Sequence, residues 1–86
     1  MKSPEPLPEW LNYHHLRHFW VIARYGNLTR AAEALRISPS TLSEQLAELE
    51  GWLGQKLFER SRRRLILTEG GRVAWEHAET IFNTGR

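Results

Sequence analysis

The sequence contains histidines, glutamates and arginines but no cysteine and no aspartate, which limits the chemistry that its side chains offer. Without cysteine it has no disulfide, no thiolate metal site and no cysteine nucleophile. His14 and His18 lie four residues apart and would share a helix face, a spacing that can bind zinc. No third ligand of the usual kind lies nearby in the sequence. We therefore expect no metal site, and we expect His15 and His18 to be partly exposed on a helix surface.

The glutamates do not indicate catalysis. They are scattered over predicted helix surfaces, and the sequence has no nucleophile–base–acid set and no glycine-rich loop that could hold a phosphate. We therefore expect neither enzymatic activity nor a cofactor.

The clearest chemical signal is a basic cluster from Lys56 to Arg64, which holds five basic residues and one glutamate, although the whole chain has a net charge of only +2. A local cluster indicates a polyanionic partner better than the whole-chain charge does. The planar guanidinium of arginine donates two parallel hydrogen bonds and so suits a phosphate. The alternative is a solvated charged turn without a partner, and the basic run alone does not exclude it.

Two helices joined by a tight turn precede this cluster. Asn27 or Thr29 can cap the first, and Ser38 followed by Pro39 can begin the second. Leucines recur along the second helix at a spacing that places them on one face, and the side chains on the opposite face are mostly small and polar. The stripe is Leu42, Leu46, Leu49 and Leu53, and the polar face is Ser40, Thr41, Ser43, Glu44, Ala47 and Glu48. This pattern is typical of a helix-turn-helix, whose second helix enters the major groove of DNA.

The flanking segments complete a mainly α fold in one small domain. Residues 1–9 contain three prolines and predict a flexible leader. Residues 10–25 predict a first helix that Asn12 caps and Gly26 ends. Its buried stripe is Leu16, Phe19, Trp20 and Ala23, with Val21 and Ile22 partly covered. Two short strands within 58–67, joined by a basic loop, predict the hairpin called a wing.

Apolar residues return at helical spacing after Thr68 and Glu69, which we expect to cap a last helix. The stripe is Val73, Ala74, Ala78, Ile81 and Phe82, with Trp75 off it. These boundaries divide the chain into a leader (1–9), a winged helix-turn-helix domain (10–68) and the start of a linker or dimerisation helix (69–86). No apolar run approaches membrane-spanning length and no signal peptide is visible, so we expect a cytoplasmic protein without a membrane partner.

The segment from residue 11 to residue 82 resembles the N-terminal DNA-binding domain of LysR-type transcriptional regulators. The matching features are Phe19, Ala31–Ala32 before Leu35, Ser38, Ser43, Leu49–Glu50, Gly54, Leu57–Phe58, Arg60, and Leu67–Thr68 followed by Gly71. Within that family, the opening LNYHHLRHFW and the segment AAEAL look most like the regulators of sodium/proton antiporters.

The resemblance implies a three-helix core with a β-hairpin wing, followed by a linker helix through which two chains form a homodimer. The implied partner is double-stranded DNA carrying an inverted-repeat operator. Family members usually continue into an effector domain that binds a small molecule or ion. That domain is absent from this sequence, so we expect either a fragment of a longer regulator or a stand-alone chain.

The resemblance also implies roles for individual residues. Those expected to contact bases are Ser38, Pro39, Ser40, Thr41 and Glu44, at the start of a recognition helix spanning about 39–53. Those expected at the DNA backbone or in the wing are Thr29, Arg30, Ser43, Lys56, Arg60, Arg62, Arg63 and Arg64. The apolar stripe Val73, Ala74, Ala78, Ile81 and Phe82 is expected to form the dimer contact.

Glu44 departs from the family pattern, because its position is often arginine. A glutamate there repels phosphate, although it can accept a hydrogen bond from the amino group of cytosine. Two interpretations remain open: Glu44 reads a base, or it faces solvent and weakens binding. Glu48 is expected simply to be solvated.

A second hypothesis is a protein-interaction domain without DNA affinity. In that case the last helix would be the working surface and the polar helix would have no partner. Association that does not depend on salt, in the absence of DNA binding, would favour this hypothesis over the first.

Overall fold

The computed structural model describes residues 14–83. Its elements in chain order are α1 (His14–Tyr25), α2 (Leu28–Leu35), α3 (Pro39–Leu53), β1 (Phe58–Ser61), β2 (Arg64–Leu67) and α4 (Glu69–Asn83). This order confirms the predicted winged helix-turn-helix: three helices, a hairpin and a last helix. The predicted leader, the start of the first helix with its Asn12 cap, and residues 84–86 lie outside the described residues.

One apolar core lies between α1, α2 and α3. Its largest fully buried side chains are Phe19, Ile22, Leu42, Leu49 and Leu57. Ala31 and Ala32 are also fully buried, and their small side chains let α2 pack closely against its neighbours. The expectation that Val21 and Ile22 would be only partly covered is wrong, because both belong to this core.

Short polar residues and glycines set the ends of the helices. Asn27, rather than Thr29, caps α2, since its side-chain oxygen accepts from the Arg30 amide at 2.9 Å. Ser38 caps α3 by accepting from the Thr41 amide at 3.1 Å, and Pro39 takes the first helical position. Gly54 ends α3 with a φ of 76°, in the left-handed region that favours glycine.

The wing is a tight antiparallel hairpin in which Phe58 pairs with Leu67 and Ser61 pairs with Arg64. Only two residues, Arg62 and Arg63, form the turn between the strands. The basic loop is therefore shorter than predicted, since Arg60 and Arg64 belong to the strands themselves. The Leu65 amide donates to the Gly26 carbonyl at 3.1 Å, which attaches β2 to the turn between α1 and α2.

Helix α4 folds back onto α1 through an aromatic cluster. The Trp20 indole N–H donates to a Glu79 carboxylate oxygen at 2.8 Å, and its ring stacks on Trp75 with 6.4 Å between centroids. Phe82 lies against the same ring at 5.2 Å. Trp75, which the periodicity set apart from the apolar stripe, thus contributes to the contact between α4 and the rest of the domain.

The start of α4 also lies directly over the residue that precedes β1. Thr68 caps the helix, since its hydroxyl oxygen accepts from the Gly71 amide at 3.0 Å. Gly71 is buried, and a Cβ atom at this position would overlap the carbonyl oxygen of Leu57.

Within residues 14–83, no helix has the length and apolarity needed to cross a membrane.

Candidate nucleic-acid interface

The N-terminal half of α3 presents an exposed polar surface. The residues predicted to contact bases, Ser38, Pro39, Ser40, Thr41 and Glu44, are all exposed there. The Ser38 hydroxyl donates to Thr41 Oγ1 at 2.9 Å while its oxygen accepts from the Thr41 amide. Ser38 is therefore engaged as a cap, whereas the Thr41 hydroxyl proton stays available to an external acceptor.

The arginines of the wing extend into solvent beside the start of α2. Arg60, Arg62, Arg63 and Arg64 are exposed, and among the described residues none of them forms an ion pair. A groove of about 190 Å³ lies between the hairpin and α2, and its lining includes Thr29 and all four arginines. No acidic side chain is among the described residues that line this groove, so its positive charge suits a polyanion.

A second groove, of about 500 Å³, separates α3 from the wing. Its lining includes Ser43, Lys56 and Arg60, and it shares Leu28, Arg60 and Leu65 with the groove beside α2. The structure therefore brings Thr29, Ser43, Lys56 and the wing arginines to one side of the molecule, next to the polar face of α3. Arg30 is exposed on α2 but lines neither groove.

Three glutamates of α3 have different surroundings. Glu44 is exposed on the polar face. Glu48, expected to be simply solvated, has a carboxylate oxygen 3.0 Å from His15 Nε2, although its side chain remains 60% exposed. Glu50 is half-buried, and its Oε2 accepts from the Leu57 amide at 2.8 Å. Sequence reasoning assigned no role to Glu50; the only signal was that the family resemblance included it.

The histidines of α1 hold α3 in place. His15 is 8% exposed, so its predicted position on the surface is wrong. His18 is half-buried and its Nδ1 is hydrogen-bonded to the side-chain oxygen of Gln45 on α3. Burial lowers the pKa of His18 below its ordinary value of 6.5; the bond to Gln45 opposes this shift, and nearby positive charges add to it. Within the described part of the chain, no three potential ligands are grouped to hold a metal ion.

The predicted dimerisation stripe divides into two sets. Val73 and Ile81 are 56% and 50% exposed on α4. Ala74 and Phe82 pack against the domain's own core. Ala78 is fully buried in that core, so it cannot contact a second copy and its assignment to the dimer surface is wrong. The stripe was predicted from helical spacing, which does not distinguish burial in the domain's own core from burial against a second copy.

An exposed polar helix beside a basic hairpin defines a winged helix-turn-helix protein of the nucleic-acid-binding class. Residues 13–72 match the family described as bacterial regulatory helix-turn-helix protein, lysR family. The chain belongs to this family, which confirms the resemblance seen in the sequence.

The relatives of this chain include regulators that are longer than it. The nitrogen assimilation regulatory protein Nac of Klebsiella aerogenes is 42% identical over 72 residues, which cover 84% of this chain and 24% of that protein. The transcriptional activator protein NhaR of Escherichia coli is 39% identical over 72 residues, with the same coverage of each chain. This chain therefore spans about a quarter of the length of the curated relatives it matches. Because the chain is about equally identical to Nac (42%) and to NhaR (39%), the narrower resemblance to antiporter regulators stays a prediction.

Two similar solved structures are complexes with DNA. The CbnR DNA-binding domain with DNA superposes with a TM-score of 0.74 at 36% identity, over 80% of this chain and 79% of that one. The BenM DNA-binding domain with catB site 1 DNA gives a TM-score of 0.76 at 33% identity, over 80% and 78% of the two chains.

Proposed function

We propose that this chain binds double-stranded DNA sequence-specifically, as the DNA-binding domain of a bacterial LysR-type transcriptional regulator. The observation that carries the proposal is that exposed Ser43, on the polar face of α3, lines the same groove as exposed Arg60 of the wing. In this arrangement α3 enters the major groove and the wing, residues 58–67, reaches the adjacent minor groove or backbone. DNA complexes of similar domains support it.

Affinity and sequence preference come from different side chains. Thr29, Arg30, Ser43 and Lys56, together with the wing arginines, contact phosphates and release counterions, so binding weakens steeply as salt rises. Ser40 and Thr41 contact bases, since their hydroxyl groups are exposed at the start of α3. Glu44 either accepts from a cytosine amino group or faces solvent and weakens binding.

Two copies bind as a homodimer through α4, with Val73 and Ile81 as the residues that meet the partner. Two-fold symmetry of the protein calls for an inverted repeat whose half-sites lie on one face of the duplex.

As a bacterial regulator, the protein acts in the cytoplasm, where its DNA is. Its response to an effector belongs to a separate domain outside this sequence, and DNA binding itself needs neither catalysis nor a cofactor.

The test is fluorescence-anisotropy binding to a labelled random-sequence duplex across a salt series. We expect affinity to fall steeply with salt, with a logarithmic slope that counts the phosphates neutralised. Selection from a randomised pool should then enrich an inverted repeat. Absence of binding at low salt and high protein concentration would overturn the proposal.

A second candidate is a protein-interaction module without DNA affinity. It is favoured by large apolar side chains that are exposed in this domain. They are Tyr25, Trp52, Ile66, Val73 and Ile81. Association that is insensitive to salt, with no DNA binding in the same buffers, would support this candidate.

A further inference from the structure

One carboxylate of the recognition helix is directed at the wing. Glu50 lies one turn before the end of α3, and its Oε2 accepts from the backbone amide of Leu57 at 2.8 Å. Leu57 immediately precedes β1, and its side chain is fully buried in the core. The bond therefore ties the end of α3 to the point at which the wing leaves the core.

The same point is bonded to the other end of the hairpin. The Leu57 carbonyl accepts from the Thr68 amide at 3.0 Å, and the Thr68 hydroxyl donates to the Lys56 carbonyl at 2.7 Å. Thr68 follows β2 directly, so both ends of the hairpin are joined at Leu57. The Glu50 carboxylate connects this junction to α3.

A two-stranded hairpin is marginally stable alone, so its direction depends on what holds its ends. Besides this junction, the wing is attached to the helices by the backbone bond between Leu65 and Gly26 and by the packing of Phe58 against Phe19, with 5.4 Å between the ring centroids. Glu50 adds a side-chain hydrogen bond from α3 to the base of the wing. Without this bond the Leu57 amide loses that acceptor, and we expect the hairpin to tilt away from α3.

The charge of Glu50 makes it possible to distinguish repulsion of DNA from positioning of the wing. Glu50 lines the groove between α3 and the wing, together with Lys56 and Arg60. A carboxylate facing a groove that receives phosphate weakens binding by Coulomb repulsion. If repulsion were its whole effect, removing the charge would strengthen binding; if it holds the wing in place, removing it would weaken binding. The two roles therefore predict opposite signs.

We propose that Glu50 is a positioning residue for DNA binding, which sets the angle of the wing against the recognition helix without touching DNA. The inference rests on the proposed function. It predicts that the wing arginines reach phosphate only while the bond between Glu50 and the Leu57 amide is intact.

The experiment measures duplex binding by anisotropy across a salt series for wild type and three variants. Glu50→Ala removes both the charge and the acceptor. Glu50→Gln removes the charge and keeps a side-chain oxygen that can accept from Leu57. Glu33→Ala, at an exposed position of α2 outside both grooves, controls for loss of one negative charge. Circular dichroism verifies that each variant is folded.

We expect Glu50→Ala to weaken binding about tenfold at moderate salt and to lower the salt slope by about one unit or more, as phosphate contacts are lost. Glu50→Gln should keep the wild-type slope, and Glu33→Ala should bind as wild type or slightly more tightly. Arg63→Ala should have a smaller effect in the Glu50→Ala background than in wild type. Glu50→Ala binding that is undiminished, or an equal effect of Arg63→Ala in both backgrounds, would overturn the inference.

If Glu50→Ala does not fold, Glu50→Asp replaces it, because it keeps the charge but shortens the side chain by one methylene. A wild-type salt slope for Glu50→Asp would overturn the inference, whereas a lowered slope would support it. If wild type itself shows no salt-dependent binding, the proposed function fails and the inference fails with it. If wild type binds and Arg63→Ala lowers its slope while Glu50→Ala does not, only the inference fails.

Discussion

At the scale of single residues, side chains of one type have different roles because they meet different neighbours. Glu44 faces solvent on the polar front of α3, Glu48 meets His15, and Glu50 accepts from the Leu57 amide. Of the three, Glu44 is the best placed to meet a base. The carboxylates of the other two bond to groups of the domain itself, so they are poorer candidates for reading sequence.

Arg63→Ala should weaken binding to every DNA sequence, because Arg63 is an exposed turn residue suited to phosphate. Removing one phosphate contact should lower the salt slope by about one unit or less. Anisotropy titrations across salt measure both quantities. Arg17→Ala, an exposed arginine of α1 outside both grooves, is the control and should leave the slope unchanged. An unchanged slope for Arg63→Ala would contradict its contact with phosphate.

Thr41→Ala should change which base pairs are preferred and leave the salt slope intact, since its hydroxyl proton is available to a base. The Ser38 cap should persist, because it accepts from the backbone amide of Thr41. Competition binding with single-base variants of the selected half-site gives the preference at each position. An identical preference profile for wild type and variant would remove Thr41 from the base-reading set.

At the scale of elements, two junctions determine how the helices present the interface. His15 and His18 of α1 contact Glu48 and Gln45 of α3, which fixes the rotation of the recognition helix. The start of α4 presses on Leu57 at the base of the wing. A change at either junction should alter the geometry of the interface without removing any group that contacts DNA.

Gly71→Ala tests the close contact between α4 and the wing. Its new Cβ would overlap the backbone oxygen of Leu57, and a backbone atom cannot move away as the end of a flexible side chain can. Overpacking of this kind should lower the free energy of unfolding by about 1–3 kcal/mol. The control is Gly51→Ala on α3, where nothing lies within 4 Å of the new Cβ. It should instead stabilise by about 0.5–1 kcal/mol, since alanine favours a helix. Urea unfolding measures both, and equal stability of the two variants would contradict the contact.

The lowered pKa of His18 predicts that stability falls at acidic pH. Its folded-state pKa lies below its ordinary value of 6.5, so in that interval the unfolded chain binds more protons than the folded one. The contribution of neutral His18 to the free energy of unfolding is therefore fully present above pH 6.5, and it is lost as pH falls through the lowered pKa. Urea unfolding midpoints at stepped pH should decline less for His18→Gln than for wild type. His77→Gln, at an exposed position of α4, is the control and should follow wild type. Matching declines for all three would exclude His18 as the cause.

At the scale of the whole molecule, α4 serves two surfaces at once. Trp75, Ala78 and Phe82 face the domain, where they meet Trp20 and the core, while Val73 and Ile81 face outward. The inner contacts hold α4 at a set angle to α1. Any dimer formed through the outer residues would therefore present two recognition helices at a defined separation.

Replacing both Val73 and Ile81 with glutamate should weaken dimerisation. The new glutamates of the two copies would face each other across a two-fold axis and repel. Sedimentation over a concentration series measures the association. Binding to the inverted repeat should fall more than binding to a single half-site. Tyr25→Glu, an exposed apolar position of α1, is the control and should not change association. A dimer as strong as wild type would show that α4 is not the contact.

Features that depend on a few neighbouring residues were predictable from the amino-acid sequence alone. The cap at Ser38, the helix end at Gly54 and the leucine stripe of α3 each depend on residues close together in one helix, so propensity and spacing were enough to predict them. The polar start of the recognition helix and the basic wing were visible for the same reason.

How these elements face one another depends on contacts between residues that are far apart in the chain. His15 meets Glu48 across 33 residues of chain, and Trp20 meets Glu79 across 59. Helical periodicity shows which residues share a face, but it does not give the rotation of a helix against its neighbours. For that reason the sequence could not tell that His15 is buried, that Glu50 holds the wing, or that Ala78 packs into its own domain and not against a second copy.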